Sequence, residues 1–279
     1  MKKIRQLFKL TGIYLALSII SFYILIPFFP LVSLSFSPIE ELRMEKGIFN
    51  FPENPTLDSI LYVFNETYFL RNLLNSVIVG ISAAFFGIIA TMLASYAMTR
   101  FNYRGIRELG IMYLLLQSFP RVLILVPMYL IWTRFGLLNT YTALILTYCT
   151  FIFPLSVWML RSYFQGIPQE LDEQAMVDGC SRGKAFLYVV LPNASPGIIA
   201  VGLYAFVMAW QEFLFASTIM RDNEMATVTS GIYMFVGHQR TDWSPLAVQC
   251  LFAVIPVAIT FVFLQKYFVE GMTAGAIKG

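Results

Sequence analysis

Glu173, Asp178 and Gly179 stand together in the run Glu173-Gln-Ala-Met-Val-Asp178-Gly179, with Phe186 seven residues further on and Leu191-Pro192 closing the stretch. The two carboxylates offer hydrogen-bond acceptors, and Gly179 permits a sharp change of direction that a residue with a Cβ resists. Upstream, Pro168 suits a first helical turn, while Glu170, Asp172 and Glu173 complement the positive end of a helix dipole. Downstream, the i, i+3, i+4 spacing puts Phe186, Val189 and Val190 on one face of a second short helix, which Leu191-Pro192 stops. Two short helices bent at a glycine make a compact knob suited to a groove on another protein. The chemistry available to such residues is docking rather than catalysis.

The other residues that could do chemistry are too few or wrongly spaced. His238 is the single histidine, which excludes most histidine-based metal and triad chemistry within this chain. Cys149, Cys180 and Cys250 are odd in number and far apart, and read as small hydrophobes rather than as a disulfide framework or metal site. Gly179-Cys-Ser-Arg-Gly183-Lys184 falls short of a phosphate-binding loop, which needs four residues between the glycines and a Ser or Thr after the Lys. Here three intervene, Ala185 follows, and no strand precedes. The expectation is a chain without catalytic residues, metal, cofactor or ATP site.

The elements that carry the knob are written for lipid. The chain is 58% hydrophobic and only 13% charged, with a mean hydropathy of +0.70; a soluble domain carries about 25% charged residues. The net charge of +3 is small and the basic residues are dispersed, so nucleic-acid binding has no electrostatic footprint. Apolar runs long enough for a hydrocarbon core of about 30 Å occur at Leu10–Phe36, Leu73–Met98, Leu109–Trp132, Tyr141–Tyr163, Pro196–Ile219 and Leu246–Phe268. With the N-terminus inside, twelve Lys and Arg fall in inner segments and six in outer ones, the bias expected of cytoplasmic loops. The reading is all-α: a polytopic membrane helix bundle of six transmembrane helices with both termini cytoplasmic. It forms a single domain over 1–279, with a first extracytoplasmic loop at 37–70, the knob in a cytoplasmic loop at 164–195 and a cytoplasmic tail at 269–279. The N-terminal apolar stretch is too long for a typical signal-peptide core, and no convincing small-x-small cleavage site precedes Pro38, so the expectation is that it stays as the first span.

Glu173, Ala175, Asp178, Gly179, Phe186, Leu191 and Pro192, at these spacings and before the last two spans, resemble the cytoplasmic "EAA" loop of ATP-binding cassette importer permeases, with Gln174 replacing one small residue. The terminal Gly271-Met-Thr273-Ala-Gly275-Ala-Ile-Lys278-Gly279 is similar to the tail of carbohydrate permeases of the maltose type. So are Asn75-Ser76, Ala97-Met98-Thr99-Arg100-Phe101 and Trp210-Gln-Glu212-Phe213. The resemblance implies that the knob sits in a cleft of a separate ATPase subunit and that Gly271, Thr273, Gly275 and Lys278 reach toward the ATPase dimer. It also implies the partners: a homologous second permease, two ATPase subunits that bind ATP and Mg, an extracytoplasmic solute-binding protein and a sugar substrate. The setting is a bacterial or archaeal cytoplasmic (inner) membrane.

Arg121 lies near the middle of the third apolar run, between Pro120 and Pro127. A charge at bilayer depth costs at least about 2.5 kcal/mol on insertion scales, so Arg121 is expected to face the bundle interior or a wet cavity. Glu212 is its candidate acidic partner. Two readings stay open: an ion pair that locks helices, or polar groups lining the sugar path. Tyr113, Phe119, Tyr129, Trp132, Phe206, Trp210 and Phe213 are the rings that could stack on sugars, and Arg121, Glu212, Trp210, Phe206 and Phe119 are the candidate path residues. The expected function is the permease subunit of a sugar or oligosaccharide importer, moving substrate by alternating access. The rival in the same class is an importer of amino acids, polyamines or phosphate, against which the Gly271–Gly279 tail argues. A membrane-embedded hydrolase lacks a nucleophile and base, and a structural assembly protein does not account for the docking loop.

Overall fold

A computed structural model describes residues 2–38, 51–236 and 242–276, with side chains for 9–38, 51–106, 108–236 and 242–266. The helices are α1 (Lys2–Leu25), α2 (Phe28–Ser35), α3 (Asp58–Asn65), α4 (Phe69–Arg100), α5 (Ile106–Gln117), α6 (Val122–Arg134) and α7 (Tyr141–Gln165). They continue as α8 (Glu170–Val177), α9 (Arg182–Ala185), a π-helical turn (Phe186–Val190), α10 (Leu191–Asn193), α11 (Ser195–Trp210), α12 (Leu214–Ile219), α13 (Val228–Tyr233) and α14 (Trp243–Ala276). There is no strand among the described residues. The chain divides into two compact units, one of residues 1–69 with 232–254, the other of 70–231 with 255–279.

Three helices are long and apolar enough to cross a bilayer: α4, α7 and Trp243–Lys266 of α14. Three bent pairs pass the same test together: Lys9–Leu25 with α2 at 47°, Glu108–Gln117 with α6 at 97°, and Arg182–Asn193 with α11 at 78°. The described residues therefore hold three straight candidate spans, or up to six if each bent pair is one.

The largest departure from the expected spans is the third. Leu109–Trp132 is not one helix: α5 ends at Gln117, and Arg121 stands just before α6. Pro120 explains the corner, because it lacks an N–H and pushes the preceding Phe119 out of the helical region. The fifth expected span, Pro196–Ile219, also breaks, with α11 ending at Trp210 and α12 starting at Leu214. Pro127, Pro154 and Pro256 are carried inside α6, α7 and α14 without ending them.

In the smaller unit, Phe64 of α3 packs edge-on against Phe252 of α14 at 4.8 Å between centroids. Ser244 Oγ donates to the Ser37 carbonyl at 3.0 Å, tying the start of α14 to the chain after α2. The acidic residues Glu40, Glu41 and Glu45 of the expected first loop, together with His238 and Lys278, lie outside the described residues.

In the larger unit, α7 packs against α5 and α11. Gly197 makes the α7–α11 approach possible, since a Cβ there would stand 2.3 Å from Cγ of Tyr163. At the opposite end of α4 from its start, Tyr96, Leu160, Phe164, Phe186, Val190, Ala194 and Val201 form one buried cluster. That cluster is the floor on which the 166–194 segment rests.

Candidate coupling loop and translocation cavity

The knob predicted around Gly179 is present, and its two arms are built differently. Helix α8 runs from Glu170 to Val177, with Glu170, Asp172 and Glu173 in its first turn. Its end is closed by a pair of backbone bonds, Cys180 N–H to the Ala175 carbonyl at 2.9 Å and Gly179 N–H to the Met176 carbonyl at 3.1 Å. This pairing is the glycine-terminated end that satisfies orphan carbonyls, and it requires Gly179 at φ +90°. The second arm begins at Ser181, whose side chain accepts from Lys184 N–H. It continues through the π-helical turn, which buries Phe186 and Val190 while leaving Val189 half-buried. Leu191-Pro192 does not stop this arm at once. It runs to Asn193, and the corner falls at Ala194 before α11.

The residue that fixes the knob to the bundle is Arg100, at the end of α4. Its Nε meets Asp172 Oδ2 at 2.7 Å with both side chains only 5% exposed. The same guanidinium donates to the carbonyls of Ile167 at 3.1 Å and Phe164 at 3.4 Å, taking up acceptors at the frayed end of α7. Tyr96 OH points at Asp172 Oδ2 from 3.5 Å, whereas Asp172 Oδ1 is buried without a hydrogen bond. Tyr96 and Phe186 rings lie 4.5 Å apart, and Arg182 sits over the Phe101 ring at 4.9 Å. One side chain thus joins three elements, α4, the end of α7 and α8.

Behind that latch, the outer face of α8 is free of the bundle. Glu173 and Asp178 are exposed, Ala175 is half-buried, and Val177 is 87% exposed, an apolar side chain with no covering inside the chain. Leu191 packs against the buried cluster and Pro192 is exposed. Sequence reasoning placed Asp172 only as a dipole-complementing residue and missed Arg100 as its partner. The signal was there in Ala97-Met98-Thr99-Arg100-Phe101, a basic residue ending a span, but nothing in linear spacing pairs it with a carboxylate 72 positions away.

The candidate path residues separate into two groups. Phe119 and Arg121 line a cavity of about 330 Å³ together with Gln117, Ile124, Thr150 and Phe151. The Arg121 guanidinium lies over the Phe151 ring, 5.3 Å from its centroid. Phe206 and Trp210, in contrast, are 9% and 6% exposed and pack on each other at 5.6 Å, filling the interior of the unit. Glu212 is not paired with Arg121. Its carboxylate accepts from Tyr148 OH at 2.8 Å and from the Phe215 and Ala216 N–H groups at 2.9 and 3.0 Å, capping α12. A carboxylate is favoured at a helix start by the free N–H groups there, which is why Glu212 turns away from the cation. Trp132 is also buried, donating Nε1–H to Thr147 at 2.9 Å, and Tyr129 OH accepts from Arg221.

Asn75, at the start of the second apolar run, is fully buried. Its amide nitrogen reaches the Glu224 and Ala226 carbonyls at 2.8 Å each, and its oxygen accepts from Tyr141 OH at 2.6 Å. Ser76 Oγ accepts from Val228 N–H at 2.7 Å. These two residues hold the 224–228 segment. Gly271, Thr273 and Gly275 continue α14 as backbone.

Residues 107–274 match the family described as binding-protein-dependent transport system inner membrane component. The chain is 35% identical over 254 residues to the sulfoquinovosyl glycerol transport system permease protein SmoH of Agrobacterium fabrum, covering 90% of this chain and 89% of that protein. It is 34% identical over 227 residues to the trehalose/maltose transport system permease protein MalG of Thermococcus litoralis, covering 80% and 82%. Among solved structures, a bacterial ABC transporter involved in the import of the acidic polysaccharide alginate superposes with a TM-score of 0.78 at 19% identity, over 93% of this chain and 97% of that one, a likeness of fold. The chain belongs to the binding-protein-dependent transport system inner membrane components, as a multi-pass permease of the inner membrane.

Proposed function

We propose that this chain is one of two transmembrane subunits of an ATP-binding cassette importer for a sugar or oligosaccharide, and that Glu173, Ala175, Asp178, Gly179, Phe186, Leu191 and Pro192 form its coupling element. The observation that carries the reading is the construction of the 166–194 segment. Its back is locked to α4 and α7 by Arg100, while its front presents Glu173, Asp178 and the uncovered Val177. A lever needs that combination, because a docking face transmits rigid-body motion only if its base is stiff. The sugar class is supported by the relatives, whose names are those of trehalose/maltose and other saccharide permeases.

In this reading the chain crosses six times, through α1–α2, α4, α5–α6, α7, α11–α12 and α14, while the Arg182–Asn193 arm, bent by 78° against α11, stays in the 164–195 loop; that loop and both termini are cytoplasmic and residues 37–70 lie outside. The 269–279 tail, with Gly271, Thr273, Gly275 and Lys278, runs toward the ATPase dimer. ATP and Mg are bound by two separate ATPase subunits, this chain having no ATP site. A homologous permease completes the membrane channel, and an extracytoplasmic binding protein delivers the sugar. Arg121 and Phe119 line the path, whereas Phe206, Trp210 and Glu212 hold the helices around it.

The test is purification of the tagged chain from its host. It should bring down a second permease and an ATPase, and the reconstituted complex should take up a saccharide only with ATP and the binding protein present. Uptake restricted to amino acids, polyamines or phosphate would replace the sugar reading, and a chain that purifies without an ATPase would end the importer reading altogether.

A further inference from the structure

Arg121 is a cation in an apolar stretch with no anion paired to it among the described residues. Among the described residues no acceptor takes any of its five N–H donors; the Phe151 ring lies beneath it, and Tyr204 is near enough to feel its charge without forming a hydrogen bond. A guanidinium at membrane depth is costly to insert and is retained where it has work to do. It opens into the cavity of about 330 Å³ at the α5–α6 corner, whose lining contains no carboxylate. Small-molecule sites span roughly 300–1,000 Å³, so the space suits one sugar unit.

The other polar groups in the lining keep hydrogen-bonding capacity to spare. The Gln117 side chain has no hydrogen-bond partner among the described residues. Thr150 spends its proton on the Thr147 carbonyl at 2.6 Å, leaving its oxygen as an acceptor for a ligand hydroxyl. Phe119 and Phe151 supply ring faces. Arg121 precedes the first turn of α6, a helix of 13 residues, so the positive end of that helix adds to the same field.

We propose that this cavity binds the anionic group of a charged saccharide, a carboxylate, sulfonate or phosphate, with Arg121 as its partner and Gln117, Thr150 and the two phenylalanine rings holding the attached sugar. This rests on the sugar-importer reading and narrows it to acidic sugars. The planar fork of a guanidinium matches two oxygens of such a group at once, which an ammonium does not. A phospholipid headgroup offers the same anion, and the test separates the two sources.

The gene is deleted in its host and complemented with wild type, R121Q or R121K, and the solutes left in the medium are identified by mass spectrometry. The deletion should leave behind a sugar bearing a carboxylate, sulfonate or phosphate. At wild-type complex yield, R121Q should raise the KM for its uptake about tenfold or more, as loss of a charge-assisted bond does, and R121K should recover part of it. A neutral sugar left in the medium overturns the anion assignment and leaves the importer reading standing. A non-sugar solute, or none, removes that reading and this one with it. Unchanged KM in R121Q overturns the proposal by making the cation a bystander, and failure of R121Q to assemble overturns it by making Arg121 a link to another subunit. Native mass spectrometry of the complex gives the lipid outcome: phosphatidylglycerol retained by wild type and lost from R121Q assigns the cavity to a headgroup and overturns the proposal.

Discussion

Removing Arg100 should loosen the coupling loop far more than its distance from any docking face suggests. Arg100→Met deletes the 2.7 Å pair with Asp172 and the bonds to the Phe164 and Ile167 carbonyls. It leaves a carboxylate whose side chain is 5% exposed and whose Oδ1 already lacks a partner. Breaking one side of a buried pair costs about 3–5 kcal/mol. Placed on the opening equilibrium of the loop, even about 3 kcal/mol is roughly a hundredfold. The assay is limited trypsin digestion of the solubilised transporter without its ATPase, following cleavage after Arg182 and Lys184 in the second arm. Cleavage that depends on transient opening tracks the population of the open form, so Arg100→Met should speed it by about a hundredfold. Replacing both partners removes the stranded charge, so Arg100→Met with Asp172→Leu should sit about 2 kcal/mol closer to wild type than the two single losses added together. Unchanged cleavage in Arg100→Met, or strictly additive losses in the pair, would refute the latch.

Gly197→Ala should lower the thermal stability of the purified permease by about 1–3 kcal/mol, the cost of overpacking, because its Cβ would fall 2.3 Å from Tyr163 Cγ; a smaller residue at 163 should recover most of the loss. Asn75→Ala strands the Tyr141 hydroxyl at the start of α7 and two carbonyls of the 224–228 segment, at about 1–3 kcal/mol per buried unsatisfied group, and should show as faster proteolysis of that segment with α11 and the far end of α7 unaffected. In a background without Cys149, Cys180 and Cys250, a single cysteine at 182 should resist membrane-impermeant label from outside intact cells while one at 53 reacts; the reverse pattern would invert the topology.

The helical membrane class was legible because composition and apolar run length are solvent statements: a chain 58% hydrophobic and 13% charged has little with which to face water. The knob was legible because Gly179 and the carboxylates before it have local meaning, and a left-handed glycine ends the helix where spacing put it. Corners were the blind spot. The apolar run Leu109–Trp132 is long enough to be counted as one span despite its polar interruption at Gln117-Ser-Phe-Pro-Arg121, and it is there that Pro120 turns the chain by 97°. Pairing was the other. Arg121 and Glu212 were matched by sign and depth, yet Glu212 had nearer donors in its own chain direction, the Phe215 and Ala216 amides. Arg100 and Asp172, each unremarked as a partner, are brought together by the fold of α4 against the end of α7. Local geometry survives in sequence, whereas the choice among distant partners belongs to packing.

A stiff 166–194 loop, bent at Gly179, is proposed to carry ATPase motion into the membrane helices. A Cβ at 179 meets no atom within 4 Å, so within this chain a substitution acts through the backbone at φ +90°, which β-branched residues disfavour most. The direct measurement is ATP hydrolysis and saccharide uptake, side by side, in proteoliposomes carrying the complete transporter with Gly179→Val. The account predicts that uptake falls by an order of magnitude or more, with the ATPase either dissociated or hydrolysing without transport. Wild-type uptake with fully retained ATPase would contradict it.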